Sequence, residues 1–421
     1  MNKYIFKIAL MALSLVAFSA CSDDDDQGGA SGGTPIVRYI RPCDATVADS
    51  LLSSAYLGER IAIIGENLGG VNAIYFNDQK AKLNPNFVTG NAIIVTIPSV
   101  IPGEKQDLIK LYTGKDSCYY EFETKVPVPN VKSMTCEYVP DGGIAYIQGL
   151  YFVNEEASPL KVQFSGNVVG EVVSADVNNI AVRVPEGAQN GPIRVTSVYG
   201  TGESALNFRD SRNIILDFDT RYPDGDFKHG WHGGTGYGTE GGLNGQYLIM
   251  SGDVKIDAEG NVSTEDAKFC FDRWAYHEDA ADFFDAGKLE EYVLKFEVSV
   301  TQPWSAAPLQ VIFSGGKDAW MNWQETSNGG NPNEGFKWAT DYPRALWMPW
   351  KATGSYTTNG WITVTIPMTD FKYNDTGADI GANAAGHYAG ITLFVGKSGG
   401  ATGTACTPTF HIDNVRVVKA Q

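Results

Sequence analysis

Three clusters of aromatic residues could do chemistry in this chain: Trp320-Met321-Asn322-Trp323, Phe336-Lys337-Trp338 and Trp347-Met348-Pro349-Trp350. They lie among turn-forming stretches, Asn328-Gly329-Gly330-Asn331-Pro332-Asn333 and Asp341-Tyr342-Pro343-Arg344. An indole is a flat apolar plate with one N–H donor, a shape that stacks on the C–H face of a sugar ring. Loops lie at the surface, where an indole has no core to enter, so tryptophans clustered in loops predict an exposed aromatic platform. Trp320, Trp323, Trp338, Trp347 and Trp350 are the expected stacking residues, with Asn322 and Arg344 hydrogen-bonding sugar hydroxyls beside them. A second loop, 226–245, brings Trp231, His229 and His232 next to a run of glycines, where a backbone can approach a ligand closely. For any one of these rings, packing inside a sandwich is the competing role. Trp361 opens an alternating stretch and is expected in the core.

Other chemistries find weaker support. Glycoside hydrolysis needs two carboxylates facing each other across the scissile bond. Asp272, Glu278, Glu325 and Glu334 are available, but none belongs to a short strand motif that would pair them. A jelly-roll glycoside hydrolase acting on a β-glycan is therefore the alternative to a non-catalytic binder, and a structural protein with buried tryptophans is a third possibility. Neither a G-x-S-x-G elbow between a strand and a helix pattern nor a phosphate-binding glycine loop occurs, the string Gly29-Ala30-Ser31-Gly32-Gly33 lying in the polar stretch 22–35. His229 and His232 lack the further ligands that zinc requires. Asp217, Asp219 and Asp413 fall on the first and last strands expected in the C-terminal region, where their oxygens could contribute to a structural Ca2+ site. Solvated strand ends are the plainer reading, and no cofactor is required.

All nine tryptophans and all five histidines lie beyond residue 228. Strands are expected there at 214–218, 246–250, 292–300, 309–314, 361–367, 390–395 and 410–418, with one helical candidate at 279–289. Such a succession fits a jelly-roll-like β-sandwich over residues 210–421. Upstream the pattern is also all-β, with short strands at 60–64, 73–76, 92–97, 108–113 and 118–123 separated by turn signals. The succession then recurs at an offset of roughly 85 residues, which predicts two tandem copies of one fold at 36–126 and 127–209. Their joint, Val126-Pro127-Val128-Pro129-Asn130, has the alternating prolines of a stiff extended connection. Gly65-Glu66-Asn67-Leu68, Gly149-Leu150-Tyr151-Phe152 and Val182-Arg183-Val184-Pro185 resemble the turn and strand-end motifs of IPT/TIG immunoglobulin-like domains. In surface proteins that resemblance implies a spacer.

Residues 1–21 pair a basic start with a short apolar run, the form of an export signal. The tetrad Phe18-Ser19-Ala20-Cys21 resembles a bacterial lipoprotein processing box, with Cys21 as the lipidated residue. Ser22-Asp23-Asp24-Asp25-Asp26 resembles the acidic signal that sends Bacteroidetes lipoproteins to the outer face of the outer membrane. Residues 22–35 form a polar leash, so the membrane is met through the lipid alone. A formal charge of -17 and a pI near 4.7 argue against nucleic acid as a partner. The remaining cysteines, Cys43, Cys118, Cys136, Cys270 and Cys406, form no metal-ligand spacing and are expected as free thiols.

The order of these parts, with the closing Phe410-His411-Ile412-Asp413-Asn414-Val415-Arg416-Val417-Val418, resembles the SusE/SusF-positioned surface glycan-binding proteins, the SGBP-B type, of Bacteroidetes polysaccharide utilisation loci. The resemblance implies a monomeric, non-catalytic protein. Its C-terminal module would bind a β-glucan such as mixed-linkage glucan or xyloglucan by tryptophan stacking, in the service of a SusC/SusD-like transporter. The count of two immunoglobulin-like copies is one short of the family's xyloglucan-binding members, so the ligand implied is a class of glycan.

Overall fold

The computed structural model describes residues 33–47, 49–221, 235–251, 255–262, 266–273, 281–314, 344–382 and 388–420. Its regular structure is overwhelmingly β, and the chain divides into two compact units, Met1–Pro127 and Val128–Gln421.

The first unit contains β1 (Ile36–Pro42), β2 (Ser54–Tyr56), β3 (Arg60–Glu66), β4 (Ala73–Phe76), β5 (Gln79–Lys80), β6 (Ala92–Thr96), β7 (Leu108–Tyr112), β8 (Ser117–Glu121) and β9 (Glu123–Lys125). Two sheets, ordered β1-β3-β6 and β5-β4-β7-β8, bury Ile40, Ile61, Ile63, Ile74, Phe76, Ile93, Ile109 and Leu111, while β2 pairs with β9 in parallel. Burial alternates along β4, β6 and β7, as the two-residue period of a strand with one wet face requires. The turn at Gly65-Glu66-Asn67-Leu68 is set by backbone geometry. Asn67 sits at φ 57°, a left-handed conformation asparagine tolerates, and a Cβ on Gly65 would strike the carbonyl oxygen of Ile36.

The second unit opens with β10 (Asn130–Met134), β11 (Ile144–Leu150), β12 (Lys161–Ser165), β13 (Val168–Ala175), β14 (Asn179–Arg183), β15 (Gln189–Ser197) and β16 (Gly200–Phe208). These form one sheet ordered β10-β11-β14-β13-β12-β15-β16. The order matches the first unit strand for strand: β10-β11-β14 repeats β1-β3-β6, and β13-β12-β15-β16 repeats β5-β4-β7-β8. A long β13 in place of the short β5 joins the two halves into one continuous sheet. Tyr151, at φ 63°, takes the left-handed place of Asn67, and Gly149 lies against the Asn130 carbonyl as Gly65 does against Ile36.

The rest of this unit is a two-sheet sandwich of β17 (Ile214–Leu216), β18 (Gly236–Gly238), β19 (Tyr247–Met250), β20 (Cys270–Arg273), β21 (Tyr292–Gln302), β22 (Leu309–Ser314), β23 (Arg344–Trp347), β24 (Ile362–Pro367), β25 (Gly390–Val395) and β26 (Thr409–Lys419), with one short helix, α1 (Trp350–Thr353). One sheet runs β18-β19-β26-β21-β24, with β17 beside β26, and the other runs β20-β25-β22-β23. Phe296, Val298, Trp304, Leu309, Val311, Leu393, Phe410 and Ile412 fill the space between them. The strand expected at 214–218 ends at Leu216, and Phe218 just beyond turns to φ 56°. Residues 279 and 280 of the expected helix 279–289 lie outside the described residues. The described part is instead a 3-10 segment, Ala286–Glu291, broken at Lys288 and following Asp285, whose side chain accepts from the Gly287 N–H.

The β10–β16 domain and the sandwich share a buried polar junction. Glu137 accepts from Lys295 Nζ at 2.6 Å and from Arg416 Nη2 at 2.8 Å, and Arg416 also donates to Glu297 at 2.8 Å. Thr363 Oγ1 donates to Glu297 and accepts from the Glu137 N–H, both at 2.8 Å. The Tyr138 hydroxyl donates to the Asp210 carbonyl at 2.7 Å. Leu243, from the sandwich portion, enters the core of the β10–β16 domain, and Trp361 packs on the same core while its Nε1 donates to the Gly241 carbonyl. Trp361 thus wedges the junction and does not enter the sandwich interior expected for it.

Candidate functional site

The sandwich strands sort their residues by alternation. In the β20-β25-β22-β23 sheet, Leu309, Val311, Phe313, Ile391, Leu393, Val395 and Ala345 point into the core. The intervening positions form the opposite face. Paired register sets Thr392, Ile312 and Arg344 in one row, with Gln310 between Phe394 and Leu346 in the next. Arg344 and Gln310 are each 1% exposed, so a charged and an amide side chain are buried on the face turned away from the core. Arg344 Nη1 donates to Gln310 Oε1 at 2.9 Å, and Gln310 Nε2 donates to the Gly396 carbonyl at 3.1 Å. Burial lowers the Arg344 pKa to about 10 against the opposing charge of Asp375.

The expected stacking residues divide. Trp350 is 4% exposed at the start of α1, with Nε1 donating to the Ala307 carbonyl at 3.0 Å. It is a core residue, because the four-residue α1 folds its loop back onto the sandwich and so supplies the interior thought to be missing. Trp347 is partly buried against the same core, with ring centroids 5.4 Å from Trp304 and 5.9 Å from Phe296. Both depart from the exposed platform expected of them. Trp231, Trp320, Trp323, Trp338 and Asn322 lie outside the described residues, as do Cys21, Glu278, Glu325 and Glu334. Sequence reasoning missed Gln310 and Thr392. The available signal was a polar residue between apolar neighbours, in Leu309-Gln310-Val311 and Ile391-Thr392-Leu393.

Two carboxylates do meet in the structure, Glu137 and Glu297, but Arg416, Lys295 and Thr363 occupy them. Complete burial pushes Glu297 upward, with Arg416 pulling the other way. This pair is an ion cluster at a domain junction, with both carboxylates engaged by cations and Thr363.

Asp217, Asp219 and Asp413 serve different ends. Asp217 accepts from the backbone N–H groups of Asp219, Thr220 and Arg221, and Asp219 accepts from the Gln246 N–H. Asp413 is fully buried, its Oδ1 accepts from the Asn414 N–H, and its Oδ2 has no partner. Burial, reinforced by Glu297, Asp219 and Asp217, raises its pKa to about 8. Among the described residues no three His, Cys, Asp or Glu side chains gather as a group able to hold a metal. Cys43, Cys118, Cys136, Cys270 and Cys406 form no disulfide with one another. No described helix is long and apolar enough to cross a membrane.

Comparison with known proteins adds a family match. Residues 208–419 match the model of the surface glycan-binding protein B xyloglucan binding domain. The structure is similar to the crystal structure of the surface glycan-binding protein PbSGBP-B from Prevotella bryantii, with 27% identity and a TM-score of 0.71 over 92% of this chain and 99% of that one. A Bacteroides ovatus protein described as IPT/TIG domain-containing is 30% identical over 189 residues, 42% of this chain. The match spans 37% of that relative's own length.

Proposed function

The chain belongs to the surface glycan-binding protein B family, and from that premise we propose that it captures a neutral β-glucan-type polysaccharide, xyloglucan or mixed-linkage glucan, without catalysing its cleavage. The observation that carries this reading is the family match over 208–419, which takes in the whole sandwich. The stacking role is assigned to Trp231, Trp320, Trp323 and Trp338, with Asn322 beside them. We read the two repeats as IPT/TIG-type modules and the sandwich as jelly-roll type. A lipid on Cys21 would hold the protein on the outer face of the outer membrane, where it would deliver glycan to a SusC/SusD-like transporter as a monomer. Tethering raises the effective concentration of a weak site near such a transporter, so modest affinity suffices.

The account needs no cofactor. A Ca2+ ion drawing on oxygens of Asp217, Asp219 and Asp413 would reveal itself as a rise in Tm on adding calcium that a chelator reverses. The functional test is a retardation gel across xyloglucan, mixed-linkage glucan, laminarin and galactomannan, with reducing ends measured after incubation. Retention by a β-glucan with no new reducing ends supports the proposal. Release of reducing ends would move the chain to the hydrolase reading.

A further inference from the structure

The outward face of the β5-β4-β7-β8 sheet carries three tyrosines in contact. Tyr75 and Tyr112 have ring centroids 5.7 Å apart at 89°, and Tyr112 and Tyr119 are 6.3 Å apart at 86°. Tyr119 is 56% exposed, and the other two are half-buried. Aromatic pairs across strands can stabilise a sheet by themselves, about 0.2–1 kcal/mol each, so the row alone would prove little.

The second repeat provides an internal control. In the first, Tyr75 pairs with Lys110, which pairs with Tyr119, and Tyr112 pairs with Ser117. In the second, the same positions are Gln163, Arg194 and Glu203, with Thr196 opposite Thr201. That copy closes its outer face with an Arg194–Glu203 ion pair at 2.7 Å and a Thr196–Thr201 hydroxyl pair at 2.8 Å. The fold is satisfied by polar residues at every one of these positions, so it does not require the tyrosines.

Charge narrows the occupant. Lys80, Lys110 and Glu121 are the charged residues on the tyrosine face, a nearly balanced patch on a chain of net charge -17. An acidic partner would meet long-range repulsion, and a basic one would meet two lysines and a single carboxylate. A neutral sugar chain meets neither cost. It would find ring faces for its C–H surfaces, with phenol and ammonium groups to donate to its hydroxyls. Lys80 Nζ lies 6.0 Å from the Tyr75 ring centroid, a loose exposed contact that a ligand can displace.

We propose that Tyr75, Tyr112 and Tyr119 form a second stacking surface for the same neutral polysaccharide, so that the first immunoglobulin-like repeat is a binding module as well as a spacer. The inference rests on the glycan-binding reading above. Two weak sites on one chain gain avidity for a polymer long enough to engage both.

The test uses the full-length chain and the triple variant Tyr75→Gln, Tyr112→Thr, Tyr119→Glu, which installs the second repeat's residues and should fold. Affinity is measured for long-chain xyloglucan and for a short xyloglucan oligosaccharide. The expected result is a loss of about tenfold or more for the polymer, with the oligosaccharide affinity and Tm little changed, and near-normal polymer binding in the triple Tyr→Phe variant. Unchanged polymer affinity in the first variant would overturn the inference while leaving the glycan-binding reading intact. If the wild-type chain binds neither ligand nor any other β-glucan, the reading itself falls and takes the inference with it.

Discussion

At the scale of single residues, tryptophans of one sequence neighbourhood have different fates. Trp350→Ala removes a buried ring with a satisfied N–H and should cost about 3–5 kcal/mol, read as a fall in Tm by calorimetry. Trp320→Ala and Trp338→Ala should leave Tm nearly unchanged and weaken retention in a polysaccharide gel. The reverse pattern would show that the roles are exchanged. Asp413 gives a pH signature. Its folded pKa, raised by burial to about 8, lies above its ordinary value of 3.8, so the folded state holds a proton that the unfolded state has released. Its contribution is therefore full below pH 3.8 and is lost progressively as pH rises to about 8. Asp413→Asn should flatten that part of the stability profile, as measured by denaturant midpoints across pH. An unaltered slope would contradict the assignment.

At the scale of elements, the junction between the β10–β16 domain and the sandwich depends on Glu137. Glu137→Ala strips Arg416 and Lys295 of a shared buried partner, and removing one member of such a set costs about 3–5 kcal/mol. The β10–β16 domain and the sandwich should then melt in separate transitions, whereas one cooperative transition is expected for the wild type. Strands of the repeats and of the sandwich were legible because alternation and turn chemistry are local, as at Ala73–Phe76 and Leu309–Ser314. The junction was not legible. Lys295 and Arg416 lie 158 and 279 residues from Glu137 in sequence, and no short-range pattern marks an ion pair that forms only when two domains meet. Trp350 was misread for a related reason. The turn-forming stretch Asp341-Tyr342-Pro343-Arg344 before it points to a loop, but one helical turn, Trp350–Thr353, is enough to aim the indole inward. Arg344 was picked out as a surface donor, yet its burial and its bond to Gln310 follow from the pairing of β22 with β23, which residue type cannot reveal.

At the scale of the molecule, similar strand orders in the two repeats place different chemistry on equivalent faces, while the sandwich joins the second repeat in one compact unit. Within that unit the sandwich has a fixed neighbour in the second repeat. The measurement that bears most directly on the central claim is isothermal titration of the full-length protein with xyloglucan and mixed-linkage glucan, repeated on the Trp320→Ala, Trp338→Ala double variant. Saturable binding of at least one glucan by the wild type, reduced tenfold or more in the variant (about 1.4 kcal/mol) as loss of stacking predicts, is the expected result. Absence of heat with every β-glucan, or equal affinity in the two proteins, would contradict it.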